Sequence, residues 1–184
     1  MVSGGAGGGR SPPPRRPSQP PPQGKIIDPD IIVEAHNKAR RETGAPPLRW
    51  SDRLASIAQA WADRCVWQHS SYRLGENLAA GNYKKASDVL YGIGMWYNEI
   101  CEYDFDKSGW QGGAGHYTQM VWADTTEVGC GYTLCADLVG LWNNVGMLVC
   151  NYNPPGNILS QWYFEVNVGR PSSFPAMCPK GWKG

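Results

Sequence analysis

Few side chains in this 184-residue chain can do chemistry: three histidines, His36, His69 and His116, and six cysteines at 65, 101, 130, 135, 150 and 178. A structural zinc site would bring cysteines together as Cys-x-x-Cys pairs. None is present, and the closest pair, Cys130 and Cys135, has four residues between its members. An even number of cysteines without chelate spacing reads as disulfides, and so as an oxidising compartment. The chain also has no His-Glu-x-x-His and no Gly-x-Ser-x-Gly, the patterns that carry metalloprotease and serine-hydrolase chemistry. Ser70 directly follows His69, but adjacency in sequence is not a nucleophile–base geometry. Glu99 lies three residues after Trp96 in an apolar helical run and so shares its face. A carboxylate there needs a partner, because burying one unpaired is costly.

The elements that would position these groups follow a compositionally distinct tail. Residues 1–24 hold seven prolines and six glycines and read as a disordered, semi-stiff polyproline tether. From Asp28, the spacing of Ile31, Ile32, Ala35 and Ala39 predicts a helix that Gly44, Pro46 and Pro47 stop. Ser51 caps a second helix with Leu54, Ile57, Ala58, Trp61 and Cys65 on one stripe. Ser87 caps a third, carrying Val89, Ile93, Trp96 and Ile100. Segments 75–78 and 103–115 read as loops, and 153–156, Asn-Pro-Pro-Gly, as a turn. Strands are expected at 128–134, 145–152 and 161–166. Helices first and strands last is an α+β order.

Composition bounds the function. With 41% hydrophobic and 18% charged residues, the chain can fill one core, assigned to residues 25–169, followed by an extension over 170–184 that carries Cys178. The tail holds Arg10, Arg15 and Arg16 without an acid, so the remainder carries 14 bases against 16 acids. That near-neutral balance gives no electrostatic case for nucleic-acid binding, which a surface of clustered Lys and Arg would advertise. No run approaches the roughly 20 apolar residues of a membrane span. The first residues show no apolar leader for secretion, yet the cysteines argue for an extracellular protein. A monomer is expected.

Two dense stretches then carry a resemblance. Residues 115–132 read Gly-His-Tyr-Thr-Gln-Met-Val-Trp-Ala-Asp-Thr-Thr-Glu-Val-Gly-Cys-Gly-Tyr, and 148–157 read Leu-Val-Cys-Asn-Tyr-Asn-Pro-Pro-Gly-Asn. With His36-Asn37-x-x-Arg40, His69-Ser70 and Gly75-Glu76-Asn77-Leu78, they resemble the signatures of the CAP superfamily: cysteine-rich secretory proteins, antigen 5 and plant pathogenesis-related class 1 proteins. The likeness covers roughly 31–166 and implies a three-layer α-β-α sandwich. It also implies a cavity tetrad of His69, Glu76, Glu99 and His116, suited to a weakly held divalent metal such as zinc, to an acid–base pair, or to a hydrogen-bonded structural cluster. No cofactor is expected to be obligatory. Tyr103, Phe105 and Trp110 are similar in spacing to the caveolin-binding pattern some CAP proteins use around a sterol, which makes them candidate lipid contacts. His36 is expected to be structural.

Six cysteines allow 15 pairings, and helix periodicity selects none. Resemblance to the plant proteins implies Cys65–Cys135 and Cys130–Cys150, with Cys101 and Cys178 as the remaining pair. The function implied is a secreted, non-catalytic binding protein in a defence or cell-wall setting, the Pro-rich tether being a candidate contact for cell-wall components. Two alternatives stay open. One is a metal-dependent hydrolase or protease built on the tetrad. The other is a precursor cut between Asn153 and Pro154 to release a signalling peptide, although here the chain continues well past that junction.

Overall fold

The computed structural model describes residues 26–173 and 178; the tether 1–24 and most of the extension 170–184 lie outside the described residues. A four-stranded sheet in the order β1-β3-β4-β2 forms the central layer. Its strands are β1 (Arg49–Trp50), β2 (Gly75–Gly81), β3 (Glu127–Asp137) and β4 (Asn143–Asn153). Helix α2 (Asp52–Ala62) covers one face. Helices α1 (Pro29–Thr43), α3 (Ala86–Asn98) and α4 (Gly115–Val121) cover the other. β4 is buried over Val145–Tyr152, as a strand covered on both faces must be. Its Leu148, Cys150 and Tyr152 join the core under α1, α3 and α4, while Val145, Met147 and Val149 join the core under α2. This is the expected three-layer α-β-α arrangement.

Local chemistry explains most boundaries. Asp28 caps α1 by accepting from the Asp30 and Ile31 N–H groups, and Gly44 ends it in the left-handed conformation at φ 73°. Ser51 caps α2. Gly129 and Gly131 let α2 lie directly on β3: a side chain there would meet α2 backbone atoms at 2.2 and 2.3 Å. Three disulfides are present: Cys65–Cys135 ties the end of α2 to β3, Cys101–Cys178 ties the turn after α3 to the chain's extension, and Cys130–Cys150 cross-links the paired strands β3 and β4.

Four expectations differ from what is found. Helix α3 starts at Ala86 rather than after Ser87, because the Asp88 carboxylate accepts from the Lys84 and Lys85 N–H groups. The segment read as a loop from Gly75 is strand β2, paired antiparallel with β4 from Gly75↔Tyr152 to Gly81↔Gly146. The strand expected at 161–166 is helix α5 (Gln161–Asn167). The alternation of Trp162, Phe164 and Val166 misleads, because Phe164 and Asn167 form the buried helical face. Phe164 packs edge-on against Trp122, and Asn167 accepts the Asp124 N–H. Finally, α4 occupies 115–121, where the sequence pattern gave no helix.

His36 is fully buried and holds α1 to the sheet. Its Nδ1–H donates to the Ile32 carbonyl, so Nε2 accepts from the Tyr152 hydroxyl, each at 2.8 Å. Burial holds the imidazole well below its ordinary range, at about 4. The unfolded chain therefore takes up this proton near pH 6.5 while the fold refuses it until about pH 4. Folding should weaken as pH falls through that window and then level off for this group, by about 3 kcal/mol. Chemical denaturation between pH 7 and 4 checks this; a flat profile, or one unchanged in His36→Gln, would contradict it.

Candidate functional site

The four residues of the tetrad come from four places: His69 from the loop after α2, Glu76 from β2, Glu99 from the 3₁₀ turn Glu99–Glu102, and His116 from the first turn of α4. The fold resolves them into two His–Glu pairs. In the first, His69 Nδ1 donates to Glu76 Oε1 at 2.8 Å, and the Ser70 N–H donates to the same oxygen. Asn151 Nδ2 reaches Glu76 Oε2 at 3.3 Å. Burial alone would raise this carboxyl's pKa, but the hydrogen bonds from His69 and Ser70 outweigh it and hold the value below the usual carboxylate range. In the second, His116 Nδ1 donates to Glu99 Oε1 at 2.5 Å, and its ring stacks on Trp96 at 6.0 Å.

Glu99 does a further, structural job. Its Oε2 accepts the N–H groups of His116 and Tyr117 at 2.8 and 3.2 Å. These are the N–H groups that a helix start leaves without an intrahelical partner. The carboxylate therefore caps α4 from outside the helix and sits where the helix dipole favours negative charge.

Both carboxylates are committed to backbone and imidazole donors, so either would have to break those bonds to ligate a metal, whereas each histidine meets its glutamate through Nδ1 and keeps Nε2 outside the pair. Among the described residues, no three His, Cys, Asp or Glu side chains gather to hold a metal ion. A small cleft of ≈ 230 Å³ takes in His69, Glu76, Gln119 and Asn157, but His116 is not part of its lining. Among the described residues no serine hydroxyl hydrogen-bonds a histidine ring either; the Ser70 hydroxyl accepts from the Tyr72 N–H.

The aromatic trio is also divided. Tyr103 is 2% exposed and packs with Phe105 against Tyr117. Trp110 is 52% exposed and lies over Gly115, where a side chain would meet its ring at 2.6 Å. The three rings do not make one open apolar face.

A large apolar opening lies elsewhere, as a groove of ≈ 890 Å³ between α1 and α3. α1 contributes Ile31, Ala35 and Ala39, and α3 contributes Leu90, Ile93 and Gly94. Buried Met120 of α4 joins their wall.

A family model described as the cysteine-rich secretory protein family, CAP, matches residues 33–152. The chain belongs to that family. Mouse (Mus musculus) peptidase inhibitor 16 is 37% identical over 161 residues, covering 82% of this chain and 31% of the mouse protein, so the chain spans about a third of that relative. Pathogenesis-related protein 1 of Arabidopsis thaliana is 37% identical over 136 residues, 70% of this chain and 78% of the plant protein. A crystal structure of NaASP2 with Zn2+ superposes with a TM-score of 0.63 at 25% identity, covering 74% of this chain and 84% of that one.

Within the CAP fold, the two signature stretches are each other's hydrogen-bond partners. Asn157 Nδ2 donates to the Gly115 carbonyl, the Thr118 hydroxyl donates to Asn157 Oδ1, and the Gly156 N–H donates to Gln119 Oε1. The signatures thus specify a joint between α4 and the turn after β4. The sequence shows Ile31, Ala35, Ala39 and Ile93 as parts of helical stripes, but not that the stripes of α1 and α3 leave an opening between them. The one usable signal was Gly94, a helix-weakening residue inside an apolar helical run.

Replacing Glu99 with alanine leaves two N–H groups and an imidazole without their acceptor. The expected loss is about 1–3 kcal/mol of stability, with the far end of the sheet unchanged. Denaturant melts read against amide hydrogen exchange of α4 check this; wild-type stability in Glu99→Ala would show the pair to be free for other work.

Proposed function

We propose that the chain is a secreted, non-catalytic CAP domain that holds an apolar, lipid-like molecule in the groove between α1 and α3. One observation carries the reading. Gly94 lies inside α3, where glycine costs roughly 1 kcal/mol relative to alanine, and a side chain there would have nothing within 4 Å. Gly92, two residues away, is different: a Cβ there would strike the Tyr83 hydroxyl at 2.6 Å. Gly92 is thus required by packing, while Gly94 serves only to leave space. The space falls in a groove whose volume suits a small ligand, within the range of about 300–1,000 Å³.

Secretion is supported by the family and by three disulfides joining all six cysteines, which fit an oxidising compartment. No described helix is long and apolar enough to cross a membrane, so the reading is of a carrier or sensor that meets lipid from the aqueous side. The name of the Arabidopsis relative supports a defence setting. The His–Glu pairs are assigned to holding α4 and β2, and no metal-dependent step is assigned to them.

Gly94→Leu tests this, because it fills the groove while improving helix propensity. The neutral fluorescent probe N-phenyl-1-naphthylamine should bind the wild type and lose affinity at least about tenfold in Gly94→Leu, at equal or higher melting temperature. Trp110→Ala should bind as the wild type does. Undiminished binding in a folded Gly94→Leu would sink the groove reading; loss in Trp110→Ala instead would return the site to the aromatic loop.

A further inference from the structure

A second groove, of ≈ 910 Å³, follows α2 and the outer edge of β3. β3 pairs with β1 only at Glu127 and Val128, so beyond that point no strand lies beside this edge. An open edge invites another strand, but Gln59 of α2 closes it at Tyr132. Its Nε2 donates to the Tyr132 carbonyl and its Oε1 accepts the Tyr132 N–H, each at 3.0 Å. An occupant of this groove is therefore not recognised by strand pairing; it must be read through side chains.

Those side chains are of two kinds. Ile26, Ile27, Trp50, Tyr132 and Leu134 give an apolar wall with two aromatic rings, and α2 adds Ala55, Ser56 and Ala60, short enough to let a chain lie close. The Trp50 indole donates to Asp52 Oδ1 at 2.9 Å, which fixes the ring. Two carboxylates, Asp52 and Asp63, line the groove, and no lysine, arginine or histidine does. Neither forms an ion pair within 4 Å among the described residues. Eleven residues apart, close to three helical turns, they share one face of α2 about 16 Å from each other. Polyproline segments dock on aromatic-lined grooves of this kind without needing strand partners, and arginines on such a segment would pair with the carboxylates.

This chain carries a segment of that description next to the groove. Ile26 and Ile27 are themselves part of the lining, and residues 10–16, outside the described residues, read Arg-Ser-Pro-Pro-Pro-Arg-Arg. In polyproline conformation, with three residues per turn and about 3.1 Å rise, Arg10 and Arg16 fall on one edge, two turns and about 19 Å apart. That spacing matches the two aspartates to within the reach of an arginine side chain. The stretch from Arg16 to Ile26 can extend to about 33 Å, longer than the distance between the aspartates. We propose that residues 10–16 lie in the α2–β3 groove of their own chain, prolines against Trp50 and Tyr132, with Arg10 and Arg16 on Asp52 and Asp63. The domain thus carries a binding site for proline-rich, arginine-bearing peptide, filled in cis.

The test is NMR of the full chain beside the full-chain variant Arg10→Gln/Arg15→Gln/Arg16→Gln, with the synthetic peptide of residues 9–17, Gly-Arg-Ser-Pro-Pro-Pro-Arg-Arg-Pro, as probe. The variant should shift the Trp50 indole and the Ala60 and Tyr132 amides relative to the wild type, with Leu90 and Ile93 of α3 unmoved. Added peptide should return those signals toward their wild-type positions. It should bind the variant at least about tenfold more tightly than the wild type, because the tethered segment competes at millimolar effective concentration. Asp52→Asn/Asp63→Asn in the arginine-free variant should weaken the peptide. Identical groove signals in the wild type and the arginine-free variant would overturn the proposal, as would shifts that the peptide does not reverse. Peptide affinity unchanged by the two Asp→Asn substitutions would remove the charge pairing on which it rests. Wild-type signals that move toward the variant's on dilution would place the segment in the groove of a second copy instead.

Discussion

On the face of the sheet that carries α1, α3 and α4, the joint between α1 and α4 rests on one buried guanidinium. Arg40 is completely inaccessible, and among the described residues no carboxylate pairs with it. Its five N–H donors find five backbone carbonyls instead: Pro46 from Nε, Met120 and Trp122 from Nη1, and Ala123 and Thr125 from Nη2. Burial pulls its pKa down to about 10, which leaves it charged at neutral pH. Two of the acceptors, Met120 and Trp122, lie at the C-terminal end of α4, where the last carbonyls lack intrahelical partners and the dipole favours a cation. A planar fork with five fixed donors suits this place; a lysine, with three donors on a point charge, does not. The guanidinium thus joins α1, the turn after it, and the passage from α4 into β3.

With its C-terminal end held by Arg40 and its N-terminal end by Glu99, the seven-residue α4 is secured at both ends by side chains from other elements. So short a helix would not persist alone, since isolated helices under about 12–15 residues are marginal in water. Securing α4 fixes Met120 and Tyr117 beneath α1 and α3. The space above Gly94 then stays open because its surroundings are fastened by polar contacts. Tyr97 and Glu42 bridge α3 to α1 at one end, and Ser172 donates its N–H to the Glu42 carbonyl from the chain after α5. A groove walled in this way is largely formed before any ligand arrives, which lowers the ordering cost of binding.

Much of the fold was legible in the sequence, and the failures have physical causes. α1, α2, β3 and β4 show strong periodicity and clear caps, as with Asp28, Ser51 and Gly44. β2 did not show itself because Gly-Glu-Asn-Leu-Ala-Ala-Gly lacks β-branched side chains; its strand character comes from pairing with β4. α5 is seven residues long, too short for period 2 and period 3.6 to be told apart by Trp162, Phe164 and Val166. The four tetrad residues were readable only by resemblance, since their separations place no two on one helix face. That they form two pairs, one of them a helix cap, depends on distances that no sequence pattern carries. The groove was hardest to see, because it is marked by a side chain that is missing.

The central claim is that the domain is a braced scaffold around an apolar site between α1 and α3. The most direct measurement is a methyl NMR titration of the full chain with a neutral apolar ligand such as dodecan-1-ol, following isoleucine, leucine, valine and methionine methyls together with the tryptophan indoles. The account predicts shifts at Ile31, Leu90, Ile93 and Met120, with Met147 and Val149 beneath α2 unmoved and the Trp110 indole unchanged. Shifts centred on Trp110, or on residues beside His69 and His116, with the four groove methyls unmoved, would contradict it.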